Sequence, residues 1–107
     1  MPDLSQVFID WAGRLRTGDA SLDAIAQART GDPVTLSQQN GRWWVKDRQG
    51  RRLIALKGGW TVPDGQRVVS AVIGAIVARQ EHESSEEHRV KLQKDRWEVV
   101  LPEIVLE

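Results

Sequence analysis

Arg42-Trp43-Trp44-Val45-Lys46-Asp47-Arg48-Gln49-Gly50-Arg51-Arg52-Leu53 is the stretch on which the fold turns. Asp47-Arg48-Gln49-Gly50 has Asp at the first position and Gly at the fourth, the pattern of a type I turn. Just upstream, Asn40-Gly41 is a strong hairpin signal, because both residues tolerate the positive φ of a type I′ turn. Before it, Val34-Thr35-Leu36-Ser37 alternates apolar and polar with the period of a half-buried strand. The expected product is a three-stranded antiparallel meander: Val34 to Ser37, Arg42 to Lys46, and Arg51 to Leu56.

The turns predict a register. Asn40-Gly41 sets Leu36 opposite Val45 and Ser37 opposite Trp44. A bulge at Gly50 would set Val45 opposite Leu53, Trp44 opposite Ile54 and Lys46 opposite Arg52. One face then carries Val34, Leu36, Trp43, Val45, Leu53 and Ala55, a core face. The other carries Thr35, Ser37, Arg42, Trp44, Lys46, Arg52 and Ile54. A slip of one residue would exchange the two faces.

Working outward, Leu4, Val7, Phe8, Trp11 and Leu15 recur at helical spacing and predict an amphipathic helix over 3–16. Asp3 is its expected N-cap, with Gln6 in the capping-box position. A second helix is expected over about 20–29, capped by Asp19 or Ser21, with Leu22, Ile25 and Ala26 inward and Gly31 closing it. The run Val68 to Ala78 fits a helical stripe, but its apolar residues are mostly β-branched and Gly74 weakens a helix, so a long buried strand is expected. Ser84 with Glu87 suggests a short helix. Trp97-Glu98-Val99-Val100-Leu101 reads as a final strand at a sheet edge or ending near Pro102, which lacks an N–H.

The 107 residues are expected to form a single domain, with 1–30 as a helical cover and 31–107 mainly antiparallel β. There is no cysteine, which removes disulfides and thiolate chemistry. No apolar run is long enough to span a bilayer and no secretory signal is visible, so a cytoplasmic location and no membrane partner are expected. Lys and Arg total 15 and Asp and Glu 15, a net charge of zero. The charge is uneven. Residues 1–31 hold four acids against three bases, residues 32–67 seven bases against three acids, and residues 68–107 eight acids against five bases. A neutral total argues against general nucleic-acid avidity, while a basic middle allows a local anion-binding face.

Few chemical signatures stand out. His82 and His88 lie among Glu81, Glu83, Glu86 and Glu87, but nothing in the spacing enforces a metal site, and a solvated acidic segment is the expectation. No nucleophile elbow, phosphate loop or dinucleotide fingerprint is present, so no enzyme and no cofactor is expected. The candidate site is the charged face of the meander. Trp44 would stack on a base, and Arg42, Lys46 and Arg52 would contact phosphates, with Arg48 and Arg51 at the hairpin tip as secondary contacts. In the competing reading, Trp44 packs under the N-terminal helix and the cations lie at the rim with their stems on its ring.

Two groups of residues carry a family resemblance. Gly31-Asp32-Pro33-Val34-Thr35-Leu36, leading to Trp44-Val45-Lys46-Asp47, Gly50 and Leu53-Ile54-Ala55-Leu56, resembles the small β-barrel of HIRAN domains. Val77-Ala78-Arg79, Glu83-Ser84, Arg89 and Arg96-Trp97-Glu98-Val99-Val100-Leu101-Pro102-Glu103 is similar to carboxy-terminal segments of some bacterial RecQ-type DNA helicases. The resemblance spans residues 31–105 and implies a non-catalytic, DNA-binding helicase accessory module that takes single-stranded ends. The sequence departs from it where Ser37-Gln38-Gln39-Asn40-Gly41 replaces an Asp/Asn-rich segment.

Together these readings predict an α+β fold with two N-terminal helices packed on a small antiparallel sheet or partly open β-barrel of about five strands. The expected partner is single-stranded nucleic acid. The alternative is a protein-interaction or homodimerisation module without a nucleic-acid ligand.

Overall fold

A computed structural model describes residues 7–9, 11–16, 18–80, 82, 92 and 96–107. Along the chain lie helix α1 (Ala20–Gln27) and strands β1 (Thr35–Gln39), β2 (Arg42–Lys46), β3 (Arg52–Ala55), β4 (Val68–Gln80) and β5 (Arg96–Leu106). Strands β1, β2 and β3 form one antiparallel sheet in that order, and β4 pairs with β5 as a long antiparallel ribbon.

The architecture is mostly sheet, which corrects the expectation of two N-terminal helices packed on a sheet. Val7 forms an antiparallel bridge with Leu56, and the Phe8 N–H donates to the Ala55 carbonyl at 2.9 Å. The chain then turns through i→i+3 bonds, from Trp11 to Phe8, Arg14 to Trp11 and Leu15 to Ala12, and among the described residues before α1 the helical structure is a 3-10 turn at Ala12–Arg14. The free edge of β3 supplies backbone partners that outweigh the helical spacing of Val7, Phe8 and Trp11. Asp3, Leu4 and Gln6 lie outside the described residues.

Helix α1 forms where expected. The Asp19 carboxylate accepts the Ser21 N–H at 2.8 Å and caps its first turn. Its buried face is Ser21, Ala24 and Ile25, whereas Leu22 is half-buried and Ala26 exposed. The helix is thus rotated from the predicted inward set.

In the meander, Asn40 (φ 53°) and Gly41 (φ 76°) make the predicted tight turn. Leu36 faces Val45, Ser37 faces Trp44 and Lys46 faces Arg52, as the turns dictate. Between these points the register differs. Val45 lies opposite Ile54 and Trp44 opposite Ala55, with an irregularity between Val45 and Lys46. The residue left without a cross-strand partner is therefore Leu53, although the Gly50 N–H does close the preceding turn onto the Asp47 carbonyl at 3.1 Å. The bulge has a clear energetic reason. It turns Ile54 away from the charged face, so that Leu53 and Ile54 are both fully buried. Burying such a side chain is worth about 1.5–3 kcal/mol.

Residues 68–78 lie within the thirteen-residue strand β4, as β-branching implies. Strand β5 continues through Pro102 rather than stopping there, because the ladder shifts between Ile73 and Ala75. Gly74 supplies the slack, and a proline is tolerated at such an irregularity. The two sheets are stitched by residues 31–34. The Gly31 N–H donates to Ile73 O (2.7 Å), the Ile73 N–H to Asp32 O (2.9 Å) and the Val34 N–H to Ala71 O (3.0 Å), with Pro33 bridged to Val72. The core between these layers is built on Val45, Leu53, Ile54, Leu56, Ile73, Val99 and Val100. Trp97 of β5 closes one side, its indole N–H donating to the Ile9 carbonyl at 2.8 Å. The expected helix near Ser84 and Glu87 falls outside the described residues.

Candidate nucleic-acid interface

The pleat of β2 alternates its side chains, so Arg42, Trp44 and Lys46 share one face. The Leu53 bulge keeps Arg52 on that face opposite Lys46 while removing Ile54 from it. Two like charges directly opposite each other are unfavourable by a few tenths of a kcal/mol. Arg52 turns onto the indole instead. Its guanidinium carbon lies 4.0 Å from the Trp44 ring centroid, and its Nη2 donates to Gln39 Oε1 at 2.6 Å. A cation over an indole face is worth about 0.5–1 kcal/mol at an exposed site.

The N-terminal segment completes the face. Pairing of Val7 and Phe8 with β3 brings Trp11 against Trp44, ring centroids 5.6 Å apart and planes at 68°. It also puts Phe8 beside two guanidinium groups, Arg14 at 4.6 Å and Arg42 at 5.3 Å from its centroid. Phe8, Trp11 and Trp44 are all half-buried. Trp44 is thus packed on one side and overlain by a cation on another, with part of its surface open to water. Among the described residues, none of Arg14, Arg42, Lys46 and Arg52 pairs with a carboxylate.

Arg48 and Arg51 go elsewhere. With Gln27, Ala28, Asp47 and Leu53 they line a cleft of about 230 Å³ between α1 and the β2–β3 turn. Asp47 accepts the N–H groups of Gln49 and Arg51 and the Arg51 Nε, each at 2.9 Å, while Arg51 Nη2 reaches Gln27 Oε1 at 3.0 Å. Partial burial pushes the Asp47 carboxyl up. The hydrogen bonds from the Arg51 backbone and side chain and from the Gln49 backbone, with the Arg51 charge, outweigh it and hold the carboxyl below its usual range. Arg51 is therefore internally neutralised, and Arg48 stays exposed at the turn.

The structure brings together Arg42, Trp44, Lys46 and Arg52 and separates Arg48 and Arg51 from them. Sequence reasoning missed Phe8, Trp11, Arg14 and Gln39. The available signal was the presence of Phe8, Trp11 and Arg14 within seven residues, a sparser mixture of aromatic and cationic side chains than that of residues 42–52.

Trp43 points inward from β2 and meets Trp60 edge to face, centroids 5.7 Å apart. His82 is exposed and His88 lies outside the described residues; among the described residues no group of three or more metal-binding side chains is gathered. No helix among them is long and apolar enough to cross a membrane. Comparison of the chain with protein-family models, with curated proteins and with solved structures finds no match.

Proposed function

We propose that this domain is a non-catalytic module that binds single-stranded nucleic acid across the face of Trp44. The supporting observation is the array of Arg14, Arg42, Lys46 and Arg52 around Phe8, Trp11 and Trp44, without a carboxylate partner among the described residues. Aromatic faces accept any base by stacking, and unneutralised cations beside them accept the phosphates that link successive bases. The HIRAN-like residues quoted above point the same way, toward an accessory DNA-binding role acting in the cytoplasm. Arg48 and Arg51 are secondary contacts, Arg51 being already committed to Asp47. The test is titration of a labelled single-stranded oligonucleotide at two salt concentrations. Binding at low salt that weakens as salt rises supports the proposal, and absent or salt-independent binding removes it.

A second reading, a homodimer or protein-interaction module, draws on the β4–β5 ribbon. Val69 and Val105 are each 50% exposed near its open end, and among the described residues no third strand pairs along β5. Strand addition at such an edge is a recognised mode of association. Molecular size measured across a concentration series, without nucleic acid, decides it: growth in size favours this reading, and a constant monomer disfavours it.

A further inference from the structure

We infer that Arg52 and Gln39 form a latch over the base-stacking surface of Trp44, which a ligand opens by displacing the guanidinium. The inference rests on the nucleic-acid reading above and adds how that site is gated. Arg52 lies where a stacked base would lie, 4.0 Å from the Trp44 centroid. It is held by one side-chain hydrogen bond, Nη2 to Gln39 Oε1 at 2.6 Å, and by no carboxylate among the described residues.

Gln39 is exposed at the end of β1, opposite Arg42, and among the described residues its side chain makes no other hydrogen bond. Lys46 lies directly across from Arg52 and repels it. The guanidinium is thus pulled toward the indole and Gln39 and pushed from Lys46, a balance of small terms that one stacked base can reverse. A base stacked on an aromatic ring contributes an energy comparable with that of the cation–π contact and hydrogen bond it replaces. Displaced from the ring, Arg52 remains on the same face and is free to meet the phosphate of the incoming nucleotide. Within a duplex both faces of a base are covered by stacked neighbours, so the latch also favours single strands over the interior of a duplex.

Gln39→Ala tests the latch without changing any charge or any aromatic residue. Two measurements are made on the intact chain. The first is acrylamide quenching of tryptophan fluorescence in wild type and Q39A, each against its W44F counterpart to isolate Trp44. The second is affinity for a labelled oligothymidylate. The expected result is higher quenching of Trp44 in Q39A, with binding tightened between about two- and tenfold, the range set by one lost hydrogen bond. Unchanged quenching overturns the latch whatever the oligonucleotide does. Raised quenching with unchanged or weaker binding overturns its role as a gate. If oligothymidylate binds neither protein at low salt, the nucleic-acid reading fails, and the gate falls with it.

Discussion

The indole N–H of Trp97 donates to the backbone carbonyl of Ile9 at 2.8 Å, joining residues 88 positions apart in sequence. The bond ties β5 to the N-terminal segment that carries Phe8 and Trp11, and so supports the aromatic face from behind. Trp97→Phe removes the donor and leaves a partly buried carbonyl unpaired, at an expected cost of about 1–3 kcal/mol. Trp43 provides the control. Its buried indole N–H has no hydrogen-bond partner among the described residues, so Trp43→Phe loses no such bond and costs less. Urea denaturation of the two variants should show W97F with the lower midpoint.

Gly13 lies beneath the same indole. A Cβ there would sit 2.7 Å from Trp97 Cδ2 and 2.9 Å from Leu92 Cδ2, closer than atoms tolerate. Gly13→Ala is expected to destabilise the domain by about 1–3 kcal/mol, the cost typical of overpacking. Gly13→Ala in a Trp97→Ala background should recover part of that loss, and strictly additive losses in thermal unfolding would refute the clash.

Asp47 gives a pH signature. Partial burial pushes its folded-state carboxyl up, and the hydrogen bonds from Arg51 and Gln49 with the Arg51 charge together outweigh that and hold it below the usual value of 3.8. A depressed folded value means the stabilisation is present above the usual carboxylate range and is lost as pH falls through the lowered value. Asp47→Asn keeps an Oδ1 acceptor for the Gln49 and Arg51 N–H groups but lacks the charge and the Oδ2 acceptor of the Arg51 Nε at every pH, and is expected to be less stable than wild type at pH 7. The stability curves of wild type and D47N should converge as pH falls below the usual carboxylate value. A constant gap down to pH 2 would contradict this role.

How much of this was legible in the sequence depends on the range of the forces involved. The Asn40-Gly41 and Asp47-to-Gly50 turns, and the Asp19 cap of α1, were readable because a local backbone requirement selects the residue type. The bulge at Leu53 was not, because placing it requires knowing that the core has room for both Leu53 and Ile54. The N-terminal segment was misread as helix because the spacing of Val7, Phe8 and Trp11 fits a helical stripe. What decides its conformation is the free edge of β3, some fifty residues away in sequence. The same error hid Phe8 and Trp11 from the candidate site, since a helix would have turned them to the core.

Arg14 and Arg42 flank Phe8 and supply charge rather than stacking. Replacing either with Ala is expected to weaken oligonucleotide binding similarly for all sequences. It should also lower the slope of log affinity against log salt by about 0.7, the value for one phosphate contact on a single strand. Arg51→Ala, whose side chain is held by Asp47, should change that slope less. Equal slopes for all three variants would show that the charges are not arranged around Phe8 as binding groups.

Stacking on Trp44 is tested most directly by measuring the affinity of Trp44→Leu for a single-stranded oligonucleotide at low salt, beside wild type. Circular dichroism confirms that the variant is folded. The expected result is measurable wild-type binding and a loss of about 1–3 kcal/mol in the variant, roughly fivefold or more in affinity. A folded W44L protein that binds as tightly as wild type, or a wild-type protein that does not bind at all, would contradict it.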